Sequence, residues 1–233
     1  MKHPKNNRPY VFANMAMTAD GKIATANRAV SSFGSPRDLE HLYELRTTAD
    51  AVMAGARTLD LNKVLLGNGG ERFRRMRLRR GLAEYPLRVI VSGSGTIDPG
   101  AAIFQKRFSP ILLITSRRAS ARGLRTLRPL VDDIFISPGR AIDFTAALEW
   151  LGEKWNVRRL LCEGGGELNA ALFRVDLIDE LNLTICPKIF GGRLAPTIAE
   201  GNELPALAQA AAFHLHSLRQ HGDEAFLQFR KTL

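Results

Sequence analysis

Apolar positions along the chain recur in two rhythms. From Tyr10 to Met17 they alternate loosely, which reads as a buried opening strand. Thr18-Ala19-Asp20-Gly21 has turn chemistry, and Lys22 to Ala26 reads as a second short strand. Ser35-Pro36 has the form of an N-cap followed by proline at the first helical position. Leu39, Leu42, Tyr43 and Leu45 then mark a helical stripe ending near Thr47. Ala51 to Ala54 is a short buried strand that Gly55 releases into a turn. Residues 57–86 have no clear rhythm. Asn68-Gly69-Gly70 is a loop, and Arg72, Arg74, Arg75, Arg77, Arg79 and Arg80 follow as a dense basic run. That run reads either as a solvated helix face or mobile flap, or as a phosphate clamp.

After Pro86 the rhythm changes. Leu87 to Val91, Ile111 to Thr115, Ile134 to Ser137 and Arg159 to Cys162 are short β-rich runs, with helices predicted at 119–128, 143–152 and 167–174. Strands alternating with helices predict an α/β fold with a largely parallel sheet. Leu181 to Cys186 is one more strand, stopped by Pro187. Phe213 to Gln220 and Ala225 to Arg230 predict a terminal antiparallel hairpin around His221-Gly222-Asp223, so the sheet is mixed. The expected organisation is a basic tail at 1–8 and one domain at 9–233, with no internal repeat or linker.

Charge changes the picture more than composition does. Among 233 residues, 45% are hydrophobic and 24% charged, which is ordinary globular usage. The net charge of +10 favours anionic partners such as nucleotides and phosphorylated metabolites. Cys162 and Cys186 lie in apolar runs and read as buried thiols in a reducing, cytoplasmic setting. Val11-Phe12-Ala13 is too short for a signal segment, and no apolar stretch approaches the ~20 residues that span a bilayer. His214 and His216 read as a surface strand face, Trp150 and Trp155 as core or dimer contacts. No metal-ligand spacing and no Ser-His-Asp pattern stands out.

The sharpest feature is Leu160-Leu161-Cys162-Glu163-Gly164-Gly165-Gly166-Glu167-Leu168. A strand enters three glycines and a helix leaves them. Glycines let backbone N–H groups approach a ligand, and a helix start adds unpaired donors and a partial positive charge. Such a junction suits a phosphate or pyrophosphate, though an ordinary tight turn has the same composition. Glu163 would stand beside the ligand at the C-terminal edge of the sheet. The spacing is not that of a dinucleotide-binding GxGxxG.

These residues resemble a known family. Asn14-Met15-Ala16-Met17-Thr18-Ala19-Asp20-Gly21-Lys22-Ile23-Ala24 is similar to the first-strand motif of the riboflavin-pathway reductases. Cys162 to Leu168 resembles their glycine motif, and Asp179 to Gly192 the segment after it. The resemblance runs from about residue 8 to 230. It implies a dihydrofolate-reductase-like, three-layer fold with a mixed, mostly parallel sheet flanked by helices, usually in a homodimer. It also implies NADPH as hydride donor and a ribosylamino-pyrimidine 5′-phosphate as substrate, reduced to the ribitylamino product. A stand-alone reductase is expected, since no His/Cys cluster of deaminase spacing occurs.

By the same resemblance, Gly164, Gly165, Gly166, Glu167 and Leu168 match the cofactor-phosphate cradle. Gly55 and Thr58 match a turn that contacts NADPH, with Asn62 at the following polar position. Ser92 and Ser94 are further cofactor candidates; Thr115, Ser116 and Arg117, with Arg118, follow a strand at the start of a helix, where the 2′-phosphate could dock, or else form a helix N-cap with exposed arginines. Glu163 and Asp20 are the catalytic candidates, with Asp20 read chiefly as structural. Asn14, Thr18, Ser35, Arg46, Arg72 and Arg75 are candidate substrate contacts, and the arginine run would fold over the substrate's phosphate. Two segments depart from the family. Leu59-Asp60-Leu61-Asn62-Lys63 replaces the common Arg-Ala-Asp-Asn-Pro, and Ser92-Gly93-Ser94 stands where Asp-Ser is common. The rivals are a pteridine reductase of the same fold, with a buried acid and no phosphate clamp, and a non-catalytic nucleotide- or nucleic-acid-binding module. The latter would need aromatic platforms, and the arginine run holds only Phe73.

Overall fold

The β-rich runs at 51–54, 88–91, 111–116 and 160–162 are buried at every position, as strands covered on both faces are. The computed structural model describes residues 7–28, 33–62, 64–201 and 204–232. Its strands are β1 (Tyr10–Thr18), β2 (Ala51–Gly55), β3 (Leu87–Val91), β4 (Ile111–Ser116), β5 (Asp133–Ser137), β6 (Arg159–Cys162), β7 (Glu180–Cys186), β8 (Phe213–His221) and β9 (Glu224–Lys231). They form one sheet in the order β5-β4-β3-β2-β6-β1-β7-β9-β8. The first seven run parallel, and β9 and β8 close the edge as an antiparallel hairpin. The expected mixed, mostly parallel architecture with its terminal hairpin is therefore present.

The helices are α1 (Pro36–Arg46), α2 (Ala56–Asn62), α3 (Glu71–Arg79), α4 (Ala102–Gln105), α5 (Ala121–Leu127), α6 (Phe144–Trp155) and α7 (Gly166–Arg174). Successive strand residues point to opposite faces, so two apolar layers form. Val11, Ala13, Met53, Val89 and Leu112 pack with Leu148 and Leu151 of α6 and Leu172 of α7. Phe12, Val52, Ala54, Ile90 and Leu113 pack with Leu59 of α2, Ile103 of α4, Leu127 of α5 and Leu42 of α1. Each fully buried Leu or Ile contributes about 1.5–3 kcal/mol by leaving water.

Two expectations are corrected. Lys22 to Ala26 is not a strand. Only Lys22 bridges, to Thr197, because the segment meets a loop rather than a sheet edge. Residues 71–79 form a helix with a buried face, not a flap or a fully solvated face. That face carries Phe73 and Arg77, one turn apart and both buried. The Arg77 guanidinium donates to the carbonyls of Ala83 (2.8 Å), Ala49 (2.7 Å) and Arg46. Burial lowers its pKa to about 10. Of the expected basic tail, residues 1–6 lie outside the described residues. Arg8 donates two 2.7 Å hydrogen bonds to Asp179 and ties the start of β1 to that of β7.

Candidate active site

Strand β6 is inserted between β1 and β2, so the chain reverses its direction of travel across the sheet there. Open α/β sheets bind ligands at such a switch point, outside the carboxyl ends of the strands. Here that place is a cleft of about 1160 Å³. It is lined by Asn14 and Ser35, by Gly55 and Thr58, by Ser92 and Ser94, and by Glu163, Gly165, Gly166, Glu167 and Leu168. Eleven of the residues singled out in the sequence thus converge on one cavity.

The glycine junction is bare backbone. Gly164 and Gly165 have φ of +69° and +81°, a region that side chains disfavour. A Cβ on Gly164 would lie 2.8 Å from Met15 Sδ, and one on Gly165 3.1 Å from Thr58 Oγ1. The Gly55 N–H donates to the Gly164 carbonyl (3.1 Å), which ties the junction to the end of β2. Gly165 is the N-cap of α7 and supplies no side-chain cap, so the first N–H groups of the helix face the cleft uncapped. Glu167 is exposed and paired with Arg57 (2.7 Å) and Arg28 (3.6 Å).

Glu163 sits between this junction and α1. Arg46, in the last turn of α1, grips it with two charge-assisted bonds, Nε to Oε1 at 2.5 Å and Nη2 to Oε2 at 2.6 Å. The third nitrogen of Arg46 donates to the Gly67 carbonyl (2.8 Å). Burial works against the Arg46 charge, but the Glu163 charge and hydrogen bonds hold its pKa above the ordinary value. Arg46 is buried and is not part of the cleft wall. Its place is behind Glu163.

Asp20 and Thr18 lie outside the main cleft. Thr18 lines a smaller cavity of about 320 Å³ with Lys22 and Phe190. Asp20 accepts from Thr18 Oγ1 (2.6 Å) and from the N–H groups of Phe190 (3.1 Å) and Gly191 (2.7 Å). These bonds, that from Thr18 first, lower its pKa to about 2. Asp20 thus clamps the turn after β1 to the loop after β7. Ser35 donates to Glu224 through Oγ (2.6 Å) and N (2.7 Å) while capping α1.

The opposite wall is built at the ends of β3 and β4. Thr115 and Ser116 are fully buried, and their hydroxyls donate to the carbonyls of Ser92 (2.7 Å) and Gly93 (2.7 Å). They hold the loop whose Ser92 and Ser94 face the cavity. Of the two arginines that follow Ser116, Arg117 is exposed outside the cleft, whereas Arg118 lines it. Among the described residues no hydrogen bond or ion pair engages the Arg118 guanidinium. Asn62 closes α2, and its side chain lies outside the described residues. Arg72 pairs with Glu40, and Arg75 lies 4.0 Å from Glu71. Neither reaches the cleft.

The sequence reading also missed Asp38, a cleft residue in the first turn of α1. It lies one turn before Leu42, which also lines the cleft, and that i,i+4 spacing was the available signal. Burial raises the pKa of both cysteine thiols to about 12. Among the described residues, no group of three His, Cys, Asp or Glu is arranged to hold a metal ion. No described helix is long and apolar enough to cross a membrane.

The chain is similar to proteins of known name. A curated relative from Methanothermobacter thermautotrophicus, named 2,5-diamino-6-ribosylamino-4(3H)-pyrimidinone 5′-phosphate reductase, is 31% identical over 95% of this chain and 98% of its own. One of the same name from Archaeoglobus fulgidus is 32% identical over 83% of this chain and 87% of its own. A solved pyrimidine reductase-like protein from Corynebacterium diphtheriae superposes with a TM-score of 0.81 at 20% identity, covering 100% of this chain and 96% of the other. Acinetobacter baumannii RibD does so with a TM-score of 0.78 at 21% identity, covering 97% of this chain but 58% of that longer one. The RibD C-terminal domain model matches residues 9–227, and the chain belongs to that family.

Proposed function

We propose that this chain is a reductase of riboflavin biosynthesis. It would reduce the ribosyl side chain of a (di)amino-ribosylamino-pyrimidine 5′-phosphate to ribityl, with NADPH as cofactor. The observation that carries this is the uncapped α7 N-terminus behind Gly164 and Gly165, opening into the same cleft as Glu163. The residues fit a dinucleotide. The cradle is a space that a Cβ on Gly165 would invade, and its donors suit a pyrophosphate. Gly55 and Thr58 flank it. Arg118, with Ser92 and Ser94 on the opposite wall, fits the additional 2′-phosphate of NADPH better than Arg117 does.

When bound, NADPH would supply the hydride that C1′ of the opened, imine-like ribosylamine needs, with a proton going to the nitrogen as C=N becomes CH–NH. The protein orients the reactants and limits water. Glu163, with both oxygens held by Arg46, orients the amine and stabilises positive charge at the nitrogen. We assign the proton to water, not to Glu163. Asp20 and Thr18 act outside the cleft by holding the turn after β1 to the loop after β7, and Arg72 and Arg75 take no part.

Exposed Leu215 and Leu218 on edge strand β8 support a homodimer. A cytoplasmic setting fits the two buried free thiols. The nucleic-acid reading loses its main support, because Arg72, Arg74 and Arg75 of α3 pair with acids and Arg77 is buried. A pteridine reductase gains one observation, the acid Asp38 in the cleft. The test is cofactor oxidation by the purified protein with the ribosylamino-pyrimidine phosphate, with dihydrofolate and with neither. Oxidation is expected only with the first.

A further inference from the structure

The cleft wall at the start of α1 holds two buried oxygens without hydrogen-bond partners, Asn14 Oδ1 and Asp38 Oδ1. Asn14 is only 9% exposed. It pairs in register with Asn182 on β7, and Thr184 follows on the same face of that strand. Thr184 is near enough to Asp38 to influence its titration. Both orphan acceptors line the same cleft, and Thr184 Oγ1 behind Asp38 is a further buried atom without a partner. Folded proteins rarely leave buried acceptors unpaired without a reason.

The surroundings hold these atoms in place without satisfying them. Ser35 Oγ accepts from the N–H groups of Arg37 (3.1 Å) and Asp38 (3.3 Å), which fixes the first turn of α1. Ser35 is in turn held by Glu224 of the hairpin, whose two oxygens take the Ser35 N–H and hydroxyl. A Cβ at Gly34 would lie 2.5 Å from Asp38 Oδ2, so the backbone closes on the other side of the carboxyl. Burial raises the Asp38 pKa, with a further push from Glu224, against the nearby Thr184 hydroxyl. The Thr184 hydroxyl offers one donor near Asp38 and cannot serve both acceptors, so an N–H edge from a ligand would complete this wall.

We propose that Asn14 and Asp38 read the N–H edge of a 2-amino-4-oxopyrimidine ring and so select the amino form of the substrate over its deaminated, uracil form. This rests on the reductase reading above. In the amino form the ring N3–H and the C2 amino group are adjacent donors, matched to acceptors. In the uracil form the second donor becomes a carbonyl oxygen, which would face an acceptor. A site built to bond a donor rejects an analogue lacking it far more strongly than an apolar pocket rejects a missing methylene.

The experiment compares kcat/KM for the two ribosylamino-pyrimidine phosphates in wild type, Asp38→Asn and Asn14→Ala. It adds calorimetric binding of the two ribitylamino products to the cofactor-free protein. The wild type is expected to favour the amino form at least about tenfold. Asp38→Asn exchanges an acceptor for a donor of the same shape. It should lower that preference at least about tenfold, with the loss falling on the amino form. Asn14→Ala should move the ratio the same way, and product binding should follow the same order. Equal use of the two substrates by wild type, or variants that weaken both by one factor, would overturn the proposal alone. If neither substrate is turned over and neither product binds, the reductase reading itself fails and the proposal falls with it.

Discussion

The β6–α7 junction and helix α3 are the two places where the sequence concentrates one residue type, and the structure treats them oppositely. At the junction, three glycines leave backbone N–H groups facing a cleft with no side-chain cap. In α3, arginines find partners inside the protein. Arg74 takes Glu84, Arg72 takes Glu40, and Arg77 is buried against main-chain carbonyls. Density of charge along a sequence does not mark a binding site, because charges that meet acids or carbonyls are spent on the fold. Groups left without a partner beside a cavity mark it better. By that measure Arg118, Asn14 and Asp38 belong with the glycines.

This contrast can be broken in order of effect. Arg46→Ala would leave Glu163 without its partner and should cost about 3–5 kcal/mol of stability. Urea unfolding measures this, and a loss under ~1 kcal/mol would mean Glu163 readily re-solvates. Gly165→Asp puts a Cβ and a negative charge into the cradle at a φ of +81°. Cofactor affinity should fall at least about a hundredfold, some 2.7 kcal/mol, with the fold retained. Calorimetric titration with NADPH would show it. Arg118→Ala should weaken NADPH about tenfold while leaving NADH unchanged, and Arg117→Ala should change neither. Equal losses for both cofactors would refute a role in reading the 2′-phosphate.

Smaller effects sharpen the picture. Asp20 has its pKa depressed to about 2, below the ~3.9 of an unfolded chain. Its ionised form therefore adds stability above pH ~4, and that contribution is lost as pH falls through about 2. Asp20→Asn should be less stable than wild type at neutral pH, with the gap closing over that window in urea melts. Arg72→Ala and Arg75→Ala should each change stability by less than ~0.5 kcal/mol and leave kcat/KM intact. A large rise in substrate KM would restore the phosphate-clamp reading of α3.

Much of the architecture was legible because parallel strands are buried on both faces and read as short apolar runs between helical stripes. The strand–glycine–helix junction at Glu163 was legible because three consecutive glycines interrupt an apolar run and a helical stripe follows them. Helix α3 was harder, since its buried face uses Arg77, and an arginine in a core position hides the apolar period. No sequence pattern reveals that the Arg46 guanidinium meets Glu163, 117 residues away, so the sequence alone does not separate a contact with substrate from support of Glu163. Thr115 and Ser116 sit at the right strand end but turn inward, and only Arg118 turns to the cleft. Asp38 was overlooked because a first-turn Asp is also what a helix dipole favours.

The central claim is that the cradle and Glu163 serve one reduction. The most direct test follows loss of the reduced nicotinamide absorbance when the protein meets NADPH and the diamino-ribosylamino-pyrimidinone phosphate, beside Gly165→Asp. The account predicts steady oxidation that needs the pyrimidine and disappears in the variant. Tight NADPH binding without oxidation, or oxidation that the variant retains, would contradict it.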